Sequence, residues 1–285
     1  MRLSGWMVVV GVMSLVGSVR GDTDQPRDQF HTYTSAGWSI TEAENFRFCR
    51  RGRWNVDAKV IRAVESLRCE LATAWLAEPA PGRWKPKCDI VLHTTAAAYL
   101  AAVPGGDKTV GSSLIDLAAG RVVRRRIDIR ADQPGWFRAA LGHELTHVVL
   151  ADRFTDGRLP AWADEGMAVL ADSAAKQEAH RRDLHVARSS RRTFRLVELF
   201  ALAGYPAAER QAAFYGQSAS LVRYLVSRGT REQFVRFVGA ADKEGFDSAV
   251  RDIYGLRGVS DLERHWLQYA SASGKLAGLD SPHRP

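Results

Sequence analysis

Cysteine is scarce in this chain, with three in 285 residues, at Cys49, Cys69 and Cys88. So low a content excludes a disulfide-dense scaffold, and spacings of roughly twenty residues fit no common structural zinc motif. An odd count leaves at least one thiol unpaired within the chain, so one structural bridge plus a buried thiol is the expected use. Blocks of like charge are also missing, although 40 Lys+Arg exceed 32 Asp+Glu for a net charge of +8. A scattered surplus of this kind argues against a nucleic-acid partner. Beyond the first twenty residues no apolar run is long enough to span a bilayer, which excludes a multi-span membrane protein. No internal repeat is present. What remains, 46% apolar and 25% charged residues, is the composition of an ordinary globular protein.

The N-terminus reads as an address. Arg2 precedes an almost wholly apolar stretch, LSGWMVVVGVMSLVG, and Val19 and Gly21 put small residues at the −3 and −1 positions of a cleavage site. This is the pattern of a secretory signal peptide over residues 1–21. It predicts a chain that is secreted or held in the periplasm or cell envelope of a bacterium, with no stable membrane span once the signal is removed.

Residues 22–43 are polar and read as an N-terminal arm. Residues 45–50 alternate as a strand, and 56–77 place Val60, Val64, Leu67, Leu71 and Trp75 at helical spacing. A strand is predicted at 89–93, a short helix at 95–103, and two strands at about 110–117 and 121–130 that turn near Gly120. A strong helix should begin at 132–134 and run to about 152, followed by another at 160–173. From there to 272 the pattern is helical throughout, and 273–285 reads as a flexible tail. The fold class is therefore α+β: an α/β lobe over 44–173 and a mostly α-helical lobe over 174–272.

The strong helix carries His143-Glu144-x-x-His147. Histidines at i and i+4 share one helix face, so both imidazoles can reach one metal ion. Glu144 is rotated about 100° from His143, beside the ligands, where a base can take a proton from water at the metal. A hydrolytic zinc site needs a third protein ligand and one open position. The next helix, LPAWADEGMAVL, supplies Glu165 inside a nearly continuous apolar stretch. A lone carboxylate there wants a cation.

The string HELTHVVL, then LPAWADEGMAVLAD, then FYGQSASLVRYL at 214–225 resembles the gluzincin branch of zinc metallopeptidases, and in particular the bacterial secreted peptidase MA-like domain proteins. The resemblance spans about residues 85–270. It implies that His143, His147 and Glu165 bind Zn2+ and that Glu144 is the catalytic base. It also implies a zincin-like upper lobe, with a mixed sheet over the active-site helix, above a helical lower lobe. Peptides or proteins would be the substrates. Relatives often stabilise the oxyanion with a Tyr or His from the helical lobe, which makes Tyr215 the first candidate here. Thermolysin-like members carry an Asp four residues after the ligand Glu, and this chain has Val169 instead.

Around these residues the expectations are plainer. Asp164 and Asp172 are the nearby acids that can orient the zinc histidines. His180 and His185 lie in a charged stretch that reads as a solvated face, and His93 closes a strand as a structural residue. The strand at 121–130 is read as the sheet edge above the cleft, with Arg124, Arg125 and Arg126 facing acidic peptide or simply guarding the edge. The function predicted is an exported zinc metallopeptidase. The alternative is a catalytically silent, zinc-stabilised binding module of the envelope. The sequence assigns no oligomeric state.

Overall fold

In a computed structural model the chain is described over residues 30–279, apart from positions 54, 107, 108, 133, 134, 136, 157 and 158. The predicted signal peptide and the residues up to 29 lie outside this range, as do 280–285. The fold is α+β, as predicted: a mixed sheet first, then helices.

Six strands build the sheet: β1 (His31–Ser35), β2 (Trp38–Glu42), β3 (Phe46–Arg51), β4 (Cys88–His93), β5 (Gly111–Ala118) and β6 (Arg121–Arg130). Their spatial order is β1-β2-β3-β4-β6-β5. The β3–β4 and β4–β6 pairs are parallel and the other three antiparallel. The predicted N-terminal arm is thus corrected over residues 31–42. Those residues form a hairpin that extends the sheet, because Gly37 supplies the positive φ (79°) that its tight turn needs. Helix α1 (Ala58–Leu76) crosses from β3 to β4. Its Asp57 side chain caps Lys59 N, and Ile61, Val64, Leu71 and Trp75 are buried along one face. Phe46, Phe48, Ile90, Leu92, Ile127 and Ile129 form the buried face of the sheet, aligned by the registers Phe48↔Ile90 and Ile90↔Ile127.

After α2 (Ala96–Ala102) and the β5–β6 hairpin, the motif helix starts later than its sequence pattern suggests. A π-helical turn (Phe137–Leu141) leads into α3 (Gly142–Leu150), and Gly135 at φ 82° precedes it. Then follow α4 (Ala161–Val169), α5 (Ala174–Ser189), α6 (Leu196–Phe200), α7 (Ala208–Ser227), α8 (Arg231–Glu244), α9 (Phe246–Tyr254) and α10 (Val259–Leu279). The backbone of 273–279 continues α10, so the predicted tail is helical up to Leu279. One hydrophobic core runs through both halves. Trp75 of α1 and Trp162 of α4 both pack against Phe234 of α8, at ring distances of 6.3 and 6.1 Å.

Three expectations are corrected here. The free edge beside the motif helix is β5, while β6 lies inside the sheet. The three arginines do not form a substrate-facing row. Arg125 is buried, stacks on Trp84 at 4.8 Å and pairs with Asp152. Arg126 pairs with Asp128 at 2.6 Å, and Arg124 reaches Asp116 at 3.7 Å. No disulfide forms either, and all three cysteines are free. Cys88 stands opposite Phe46 and Cys49 opposite Val91. Those two thiols are therefore three residues apart along paired strands, roughly 10 Å and beyond bridging reach.

Candidate metal centre

Three elements meet beneath the β5 end of the sheet. Helix α3 presents His143 and His147 one turn apart, with ring centroids 5.0 Å from each other. Helix α4 packs against α3 and brings in Glu165, which is only 3% exposed. The packing is close because of two glycines beside these residues. A Cβ on Gly142 would sit 2.8 Å from the Ala171 carbonyl oxygen, and one on Gly166 would sit 2.8 Å from the Ser218 carbonyl of α7. A side chain at Gly142 would push α3 away from the end of α4, and one at Gly166 would push α4 away from α7.

One ligand atom from each of His143, His147 and Glu165 lies within 4.8 Å of the other two, close enough for a single ion to reach all three. Glu165 Oε2 is 3.2 Å from His143 Nε2 and 3.9 Å from His147 Nε2. It is buried and makes no well-formed hydrogen bond. A buried, charged oxygen that faces the lone pairs of neutral imidazoles is costly. A divalent cation between it and the two imidazoles removes that cost, so the residues present fit a zinc ion. Two imidazoles and a carboxylate are also a donor set that zinc accepts.

The opposite nitrogens of both rings are engaged. His147 Nδ1 donates to Asp164 at 2.7 Å and His143 Nδ1 to Asp172 at 3.2 Å. In the neutral imidazoles these bonds select the tautomer whose Nε2 lone pair points toward Glu165, as a metal ligand requires. Asp172 is in turn held by Lys176 Nζ at 2.9 Å. The two acids singled out in the sequence therefore each orient one histidine.

Protonation follows from the same contacts. Burial pushes the His147 imidazole down, but Asp164, Glu165 and Glu144 outweigh it and lift its pKa to about 10. His143 is raised too, where Asp172 and Glu165 overcome burial. Burial opposes ionisation of Glu165, and its contact with His143 and the charge on His147 hold its pKa at about 2. Without metal, protons on the imidazoles would balance the Glu165 charge, so a metal ion and protons compete for the same nitrogens.

Glu144 is 8% exposed and faces the start of β5. A Cβ at Gly111 would lie 2.9 Å from Glu144 Oε1 and 2.8 Å from Ala140 Cβ. The bare glycine backbone is what lets the carboxylate fit between helix and edge strand. Tyr215, on α7, is half-buried on the far side. Burial and then the Glu165 and Glu144 carboxylates push its phenol up, so it stays protonated. Among the described residues its hydroxyl makes no hydrogen bond, which leaves it available as a donor. His180 does not lie on the solvated face expected for it. Its ring is half-buried and packs on Tyr215 at 5.8 Å, with its pKa lowered by burial. His185 is exposed as expected. His93 is structural, bonded to Asp128 at 2.7 Å inside the sheet.

One neighbour had no signal in the sequence. Tyr205, in the turn between α6 and α7, donates from its hydroxyl to Glu165 Oε1 at 2.5 Å. It belongs to no motif, and only the fold brings it to the cluster.

No curated protein matches the chain. A family model described as the peptidase MA superfamily matches residues 118–272, a span that holds all three residues of the His-His-Glu cluster together with Glu144 and Tyr215. With that span covering more than half of its length, the chain belongs to the peptidase MA superfamily.

Proposed function

We propose that the protein is an exported zinc-dependent peptidase. The observation that carries this reading is the buried Glu165 Oε2, set 3.2 and 3.9 Å from two imidazole nitrogens without a well-formed hydrogen bond. Membership of a peptidase superfamily supports peptide or protein substrates. The signal-like N-terminus supports export, and no described helix is long and apolar enough to cross a membrane.

His143, His147 and Glu165 would hold the ion. Zinc bound there supplies Lewis acidity, which acidifies water and polarises a peptide carbonyl. Glu144 takes a proton from the attacking water as its oxygen bonds to the carbonyl carbon. The same carboxylic acid then gives that proton to the amine nitrogen as the C–N bond breaks. Tyr215 donates its hydroxyl hydrogen to the developing oxyanion. Asp164 and Asp172 keep both imidazoles in register throughout.

The test is cleavage of a diverse peptide library by the zinc-loaded protein beside its Glu144→Gln variant. Cuts made by the wild type and absent from the variant are expected. Equal patterns from both, with zinc confirmed in each, would reject the peptidase reading in favour of a silent binding module.

A further inference from the structure

The two oxygens of Glu165 have different surroundings. Oε2 faces both imidazoles, while Oε1 accepts the short hydrogen bond from Tyr205. We propose that Tyr205 is a positioning residue, which holds the Glu165 carboxylate turned so that a single oxygen, Oε2, is offered to the metal. This rests on the zinc reading above.

The terminal torsion of a glutamate is broad and roughly two-fold, so sterics alone do not fix which oxygen points where. The choice matters because a hydrolytic zinc site needs an open position beside its three protein ligands. A carboxylate that swung round and bound through both oxygens would fill that position. A phenol bonded to a carboxylate at 2.5 Å is a short, charge-assisted donor. Drawing Oε1 to the metal would break it.

The rest of the tyrosine has no other evident task. It is 58% exposed, and its neighbours Phe214 and Tyr215 stand off at ring distances of 6.0 and 6.5 Å. Core packing therefore does not account for a hydroxyl that reaches a carboxylate as buried as Glu165. With Tyr205 included, each of the three ligands has one hydrogen-bond partner of its own: Asp172 for His143, Asp164 for His147 and Tyr205 for Glu165.

The test uses the full chain and Tyr205→Phe, which removes the hydroxyl alone from a largely exposed ring. Zinc affinity is read by competition with a chelating fluorophore. Coordination is read from the visible absorption of the cobalt(II)-loaded protein, and folding from circular dichroism. Expected are zinc binding weaker by roughly 10–100-fold, altered cobalt bands and an unchanged circular dichroism spectrum. Tyr215→Phe, made in parallel, should leave zinc affinity unchanged. Wild-type affinity and wild-type cobalt bands in Tyr205→Phe would overturn the proposal. So would weaker binding with the bands unaltered, because that marks a merely structural loss. A wild-type chain that takes up neither zinc nor cobalt would instead fail the metal reading itself.

Discussion

At the scale of single residues, the site is a set of charges whose protonation depends on the ion. Without metal, Asp164 and the neighbouring carboxylates lift the His147 pKa from 6.5 to about 10, and the two imidazoles hold that of Glu165 at about 2 instead of 4.5. The raised imidazole contributes stability that is fully present below pH 6.5 and lost as pH rises through about 10. The depressed carboxylate contributes stability that is present above pH 4.5 and lost as pH falls through about 2. Zinc requires neutral imidazoles and so removes the alkaline part of this dependence. Melting temperature measured against pH should fall between pH 6.5 and 10 for the zinc-free protein and stay flatter for the zinc-loaded one. Glu144→Gln should keep zinc while turnover falls by roughly 10²–10⁴-fold, as for the loss of a positioned acid–base group. Metal analysis and a peptide assay on the same sample check both halves. The candidate ligands and their acids were legible in the sequence, because helix spacing alone places His143 and His147 together and an apolar helix isolates Glu165. Tyr205 was not, since its role depends on a turn between helices that no local pattern positions.

At the scale of elements, the site depends on how closely helices and strand approach. Gly166→Ala would press a methyl group against Ser218 O and Val222 of α7. An overpacked contact of this kind costs about 1–3 kcal/mol. Thermal melts should show that loss, and zinc affinity should fall with it because Glu165 moves with its helix. Gly111→Ala strikes the Glu144 carboxylate and should lower turnover with zinc content unchanged, as read by metal analysis beside a peptide assay. Most element types and positions could be read from periodicity, as at α1, β4, α3 and α7. The exceptions share a physical cause. The β1–β2 hairpin is polar and, in β1, exposed at every position, so it lacks the apolar alternation that marks a half-buried strand. The edge position fell to β5 instead of β6 because strand order is a property of the sheet, and neither strand's own pattern encodes it. Arg125 looked like surface charge, but the Trp84 ring and Asp152 give it a buried place.

At the scale of the whole molecule, the sheet half and the helical half share one core. Phe234 touches Trp75 from the first and Trp162 from the motif region, and Phe237 extends the cluster to Phe246 and Tyr254. Phe234→Ala should cost about 3–5 kcal/mol. It should lower a single unfolding transition, seen alike by far-UV and near-UV circular dichroism, without splitting it in two. That continuity is what keeps α7, with Tyr215, in fixed relation to α3 and α4. The central claim is that His143, His147 and Glu165 together hold one zinc ion. Its most direct test is the zinc stoichiometry of the intact chain by native mass spectrometry, beside Glu165→Ala. One zinc per wild-type chain, lost in the variant, is the predicted result. Zinc retained in full by Glu165→Ala, or no zinc in the wild type, would contradict it.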